Sequence, residues 1–277
     1  MRAPLLLFAA LLAEGSLQAG EPSLLDEGYR QMYNLQFEAA HRSFQEWEKS
    51  HPAEPLGPVS DAAAYLFSEF DRLRVLEPEL FVDKDSFGSR QAVTPDARVR
   101  ERFEQELKEG QQLADRKLAQ SPEDYDAMFA KVLRHGLEAD YRALIEKKYA
   151  ASLDEIKAGR ELALQLVATD PTYYDAYLAI GVENYLLSQK IAPLRWLLRM
   201  NGAQTDKQQG IRNLRLTAEK GHYLLPFARL LLAVAALRDG DTEQAAANLR
   251  YLAREFPSNR LYAEELAKIA SHKKHAS

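Results

Sequence analysis

Gln120-Ser121-Pro122-Glu123-Asp124-Tyr125-Asp126-Ala127-Met128-Phe129-Ala130 returns, with substitutions, 49 positions later as Thr169-Asp170-Pro171-Thr172-Tyr173-Tyr174-Asp175-Ala176-Tyr177-Leu178-Ala179. In both copies a Pro-containing polar break leads into an apolar run. A unit that recurs in this way stacks on its neighbours, because each repeat buries against the next an apolar face it cannot bury alone. This stretch therefore points to stacked units rather than one globular core.

Outward from it, apolar residues recur at spacings of three and four from Leu24 to Ile269, with no sustained alternation of the kind strands need. The expected fold class is all-α. Start and stop signals predict helices over 22–35, 37–50, 58–75, 96–120, 123–147, 152–169, 173–189, 206–220, 224–239, 241–256 and 259–271, which pair into five hairpins plus a terminal helix. Thr94-Pro95-Asp96 offers a cap followed by a first-turn Pro, Ser152-x-x-Glu155 reads as a capping box, and Asp239-Gly240-Asp241 makes a tight turn in the last hairpin.

The 277 residues are 46% hydrophobic and 28% charged, enough apolar surface for a packed core and too much for intrinsic disorder. Lys and Arg number 36 against 41 Asp and Glu, for a net charge of −5, and the basic residues are dispersed rather than striped. That balance disfavours a phosphate backbone, so no nucleic-acid partner is expected. Arg2, an apolar run over 5–13, polar residues 14–18 and then Ala19-Gly20 follow the order of a secretory signal peptide. Residues 1–19 are read as that signal, cleaved near Ala19, which makes the chain periplasmic or secreted; the run is too short to span a bilayer as an anchor. The absence of Cys excludes a disulfide framework, a thiol nucleophile and a thiolate metal site.

Gly28, Ala40, Phe44 and Pro52 lie 12, 4 and 8 positions apart. Small residues on facing helices let them approach, an aromatic fills the wedge between them, and Pro ends the hairpin. This spacing resembles the tetratricopeptide repeat, and Leu232, Ala245, Leu249 and Pro257 resemble it again. A third partial match runs through Tyr177, Ile180 and Gly181. The resemblance implies an α-α superhelix of about five helical hairpins with a C-terminal capping helix over residues 20–277. The Pro52–Pro122 and Pro122–Pro171 intervals exceed the ~34-residue repeat, so the middle units are enlarged. Residues 77–95 and 191–205 are read as inserted loops.

In that family the concave surface comes mainly from the first helix of each hairpin. Carried onto this sequence, the resemblance selects Pro22, Leu25, Tyr29, Met32 and Tyr33; then Asp175, Leu178, Val182, Tyr185 and Leu186; and then Phe227, Leu230, Val234, Leu237 and Arg238. Most are apolar, and the Lys and Asn with which some relatives hold a peptide carboxylate are missing. The groove expected to bind a partner is Leu25, Tyr29, Met32, Tyr33, Leu178, Val182, Tyr185, Phe227, Leu230 and Val234. Either one of the chain's own inserts fills it, or it receives an amphipathic helix, an extended peptide or a lipid-like molecule.

Chemistry is sparse. Asp83-x-Asp85-x-Phe87-Gly88 imitates the start of a calcium loop, but Phe87 stands where an oxygen ligand is needed and Thr94 where a bidentate carboxylate belongs. Of the six His, only His272 and His275 have ligand spacing, and they lie in a Lys-rich tail. No Gly-rich phosphate loop, nucleophile elbow or His-Glu-x-x-His element occurs. Arg195, Trp196 and Arg199 suggest a short membrane-facing turn, but Trp among apolar neighbours more often packs between helices. The expectation is a non-catalytic adaptor of the cell envelope with no cofactor or metal, holding another protein or peptide; the alternative is a closed helical cavity for a small apolar ligand or lipid.

Overall fold

The computed structural model describes residues 23–75, 94–188 and 206–276. All regular structure among them is helical. The helices are α1 (Leu24–Tyr33), α2 (Phe37–Ser50), α3 (Leu56–Arg72), α4 (Ala97–Gln120), α5 (Tyr125–Asp140), α6 (Tyr149–Thr169), α7 (Tyr177–Ser188), α8 (Lys207–Lys220), α9 (Leu225–Asp239), α10 (Thr242–Glu255) and α11 (Arg260–Ala276). A single π-helical turn, Tyr141–Ile145, extends α5, and a 3-10 turn, Tyr174–Ala176, precedes α7. The expected signal peptide 1–19, Pro22, nearly all of the 77–95 insert, the 191–205 insert with its Trp196 turn, and the side chains of Tyr185, Leu186, His272 and His275 lie outside the described residues. No described helix is long and apolar enough to cross a membrane.

Acidic and hydroxyl caps set the helix starts. Ser23 and Asp26 form a reciprocal capping box on α1, and Asp96, Asp124, Asp206 and Asp241 each accept a backbone N–H from the first turn they open. Gly240, at φ 81°, takes the left-handed conformation that closes α9 before Asp241 opens α10, as the Asp239-Gly240-Asp241 turn predicted. Two expected starts need correction. Asp96 is itself the cap of α4, so Pro95 precedes the cap instead of entering the first turn. Ser152 lies inside α6 rather than at its start: its hydroxyl donates to the Ala139 carbonyl at 2.9 Å, and Glu155 pairs with His135. The S-x-x-E pattern there joins α6 to α5, a role that sequence spacing cannot separate from capping.

Consecutive helices pack on one another in chain order and form adjacent pairs, α1 with α2, α3 with α4, α5 with α6, α7 with α8 and α9 with α10. Close approach within the first pair is set by Gly28. A Cβ placed there would lie 2.3 Å from a ring carbon of Phe44, which is fully buried beside Ala40. Gly181 performs a similar service where α7 meets Leu214 of α8, and Ala245 and Leu249 are buried to the same degree in the α9–α10 pair. One large core links α1–α7 and α9–α11, and a smaller one, built on Leu214, Ala218, Ala228, Leu232 and Ala235, joins α8 to α9.

The first and last pairs also meet. Tyr33 Oη donates to the Tyr223 carbonyl at 3.0 Å, Asn259 Nδ2 donates to the Tyr33 carbonyl at 2.9 Å, and the Ser258 N–H donates to Asn34 Oδ1 at 3.1 Å. Tyr29 stacks on Tyr223 with ring centres 4.7 Å apart, and Phe67 meets Phe227 edge-on at 5.7 Å. Residues near the two ends of the described fold thus touch, and Tyr29, Tyr33, Phe67 and Phe227 border one shared space.

Candidate functional site

That space is a partly open apolar cavity of about 260 Å³. Tyr29, Met32 and Tyr33 of α1 form one wall with Ala63, Phe67 and Phe70 of α3; Leu178, Ala179 and Val182 of α7 and Phe227, Leu230, Leu231 and Val234 of α9 face them. The remaining wall comes from Val132, Leu133, Gly136, Leu137 and Asp140 of α5, Ala143 and Leu144 of the π turn, and Leu153, Ile156 and Gly159 of α6.

Eight of the ten residues expected in the groove line this cavity: Tyr29, Met32, Tyr33, Leu178, Val182, Phe227, Leu230 and Val234. Asp175 and Arg238 also reach it. Leu25 does not; one turn before Tyr29 on the same stripe of α1, it is 2% exposed and packed into the large core, so it stops short of the cavity. The walls contributed by α3, α5 and α6 escaped the sequence reading, since the enlarged middle units broke the repeat register needed to carry the concave positions across. A local signal was present: Ala63, Phe67 and Phe70 keep the four-and-three spacing of one helix face, as do Gly136, Asp140 and Ala143.

The polar residues at the cavity are almost all engaged. The Tyr29 hydroxyl accepts from Ser60 Oγ at 2.9 Å, and burial raises its pKa far above the usual phenol range. Asp175 accepts the backbone N–H groups of His222, Tyr223 and Leu224 at 2.9 to 3.1 Å, filling the orphan donors ahead of α9. Burial pushes the Asp175 carboxyl up, against the three N–H donors that pull it down. Glu155 is held by His135 at 2.6 Å and by Arg142 at 3.1 Å.

A second cluster lies between α2, α3 and α4. Carboxylate oxygens of Glu48, Asp61 and Glu106 lie within 4.8 Å of one another. Fully buried Asp61 is bonded by His41 Nδ1 and by Gln45 Nε2, the latter at 3.3 Å, and His41 stacks on Tyr65 with ring centres 4.0 Å apart. One oxygen of Glu48 is buried without a hydrogen-bond partner. Burial, reinforced by the Glu106 charge, pushes the Glu48 carboxyl up to about 8; burial and the Asp61 charge push Glu106 up to about 7. Three hard oxygens at this separation are a set that a divalent cation accepts, but His41 and Gln45 already engage Asp61, and protons relieve the crowding at Glu48 and Glu106. The three positions are far apart in sequence and follow no ligand spacing, so only packing brings them together.

Comparison with family models, with curated proteins and with solved structures returned no match.

Proposed function

We propose that this chain is a non-catalytic binding protein that holds a small apolar ligand inside a tetratricopeptide-like superhelix closed upon itself. The observation that carries the reading is the convergence on one cavity of eight residues that the tetratricopeptide resemblance selects for a concave face. The walls are chiefly the first helices of successive pairs, α1, α3, α5, α7 and α9, as a superhelix of hairpins requires. An engineered apolar cavity of ~150 Å³ stays dry and takes up benzene, so about 260 Å³ suits an apolar body of about ten non-hydrogen atoms. The signal-like residues 1–19 put its work in the periplasm or outside the cell.

The adaptor reading, in which another protein or peptide lies along the same face, asks for exposed walls. Tyr29, Met32, Tyr33 and Leu230 are only 1 to 5% exposed, Leu178, Val182, Phe227 and Val234 are half-buried, and among the described residues Leu24 and Leu164 are the large hydrophobics left open. A ligand entering the interior needs no such stripe.

Thermal unfolding in the presence of ten-carbon amphiphiles tests the proposal. A ligand at a hundred times its Kd stabilises by about 2.7 kcal/mol, which raises Tm by several degrees. Ala179→Phe, which fills the cavity from α7, should abolish the rise while the protein remains folded. A Tm unmoved by every amphiphile in the series overturns the reading.

A further inference from the structure

Asp140 ends α5 where the helix widens into the π turn. In that turn the Glu146 N–H reaches back to the Tyr141 carbonyl; helical spacing of three and four puts Asp140 on the same stripe as Gly136, Ala143 and Leu144, all of which line the cavity. Its side chain caps nothing and has no hydrogen-bond or ion partner among the described residues. It is half-buried and lines the cavity.

The other titratable groups at the cavity among the described residues are Tyr29 and Tyr33 on α1, Tyr149 and Glu155 on α6, Asp175 ahead of α7, and Arg238 on α9. Each has a partner of its own. An acid that touches apolar walls and has nothing to bond is costly unless a ligand supplies the missing donor.

Resting on the cavity reading, we infer that the ligand is a cationic amphiphile, an apolar body of about ten non-hydrogen atoms bearing a protonated amine that pairs with the Asp140 carboxylate. Charge complementarity selects the head group. A carboxylate head would repel ionised Asp140, and a neutral hydroxyl gains only an ordinary hydrogen bond, whereas an ammonium gains a charge-assisted one against apolar walls. Burial alone pushes the Asp140 carboxyl up to about 7, so the ion pair forms only once the pH is high enough to take that proton. Amine binding therefore strengthens between pH 5.5 and 8.5, a range in which the amine itself stays charged.

Titration calorimetry of the full chain with decylamine, decanol and decanoate, at pH 5.5 and 8.5, tests this. Decylamine should bind about tenfold or more tightly than either of the others at pH 8.5, and Asp140→Asn should remove both that preference and its pH dependence. Equal binding of all three by the wild-type protein, or amine binding that Asp140→Asn leaves untouched, overturns the amine head group while leaving the apolar cavity standing. No binding of any of the three overturns the cavity reading and this inference with it. The wild-type comparison decides the matter even if the variant fails to fold.

Discussion

At the scale of residues, the two copies of the repeated stretch show how one sequence position acquires two roles. Asp126 and Asp175 occupy equivalent places, and the Ala after each is fully buried. Among the described residues, exposed Asp126 accepts the half-buried Tyr173 hydroxyl at 2.8 Å, whereas Asp175 is 4% exposed and gathers three backbone N–H groups ahead of α9. Hydrogen bonds to a charged acceptor contribute about 1.5 to 3 kcal/mol, and stranding their donors costs more. Asp175→Ala should therefore lower stability by about 3 kcal/mol or more, read as a lower urea midpoint at unchanged slope; Asp126→Ala should lower it by less than 1 kcal/mol. Equal losses would remove the distinction. The repeat was legible as a helix start, but which copy carries the load depends on what the fold brings to it.

Between elements, packing distance decides what a side chain is worth. Gly28 has the Phe44 ring where a Cβ would go, so Gly28→Ala must push α1 off α2 and should cost about 1 to 3 kcal/mol. Gly136, in the interior of α5, has nothing within 4 Å of a Cβ, and Gly136→Ala should instead stabilise by about 0.5 to 1 kcal/mol through helix propensity. Opposite shifts in Tm for the same substitution are the expected outcome; a shared sign would contradict the packing described for one of the two. The Gly28–Phe44 approach was readable from spacing, because Gly, Ala and an aromatic at that interval have one compact solution. Ser152 misled because a capping box and an α5–α6 hydrogen bond use the same residue types.

For the whole molecule, buried acids make stability depend on pH. Glu48, raised to about 8, Glu106, raised to about 7, and Asp140, raised to about 7, keep protons in the folded state that the unfolded chain gives up near pH 4 to 4.5. Over that interval the folded state binds more protons, so their contribution is complete at low pH and is lost as pH rises towards 8. Tm should fall between pH 5 and 8, and Glu48→Gln combined with Glu106→Gln should flatten the slope. A Tm that rises across this interval, or a slope unchanged in the double variant, would sink the assignment. The contacts of Tyr33, Asn34 and Asp71 with Tyr223, Asn259, Ser258 and Arg260 operate at the same scale, joining residues some 190 to 226 positions apart to close the interior.

Apolar periodicity, caps and recurring small-to-large spacing sufficed for the helical class and the order of the helix pairs, because these are local properties of a helix and its immediate neighbour; the residues of α1, α7 and α9 that line the cavity were selected by the tetratricopeptide resemblance. Closure of the two ends, the shares of α3, α5 and α6 in the cavity, the convergence of Glu48, Asp61 and Glu106, and the isolation of Asp140 were decided only by tertiary structure. Each depends on groups distant in sequence sharing one poorly solvated space, and no spacing along the chain encodes which helices will enclose it.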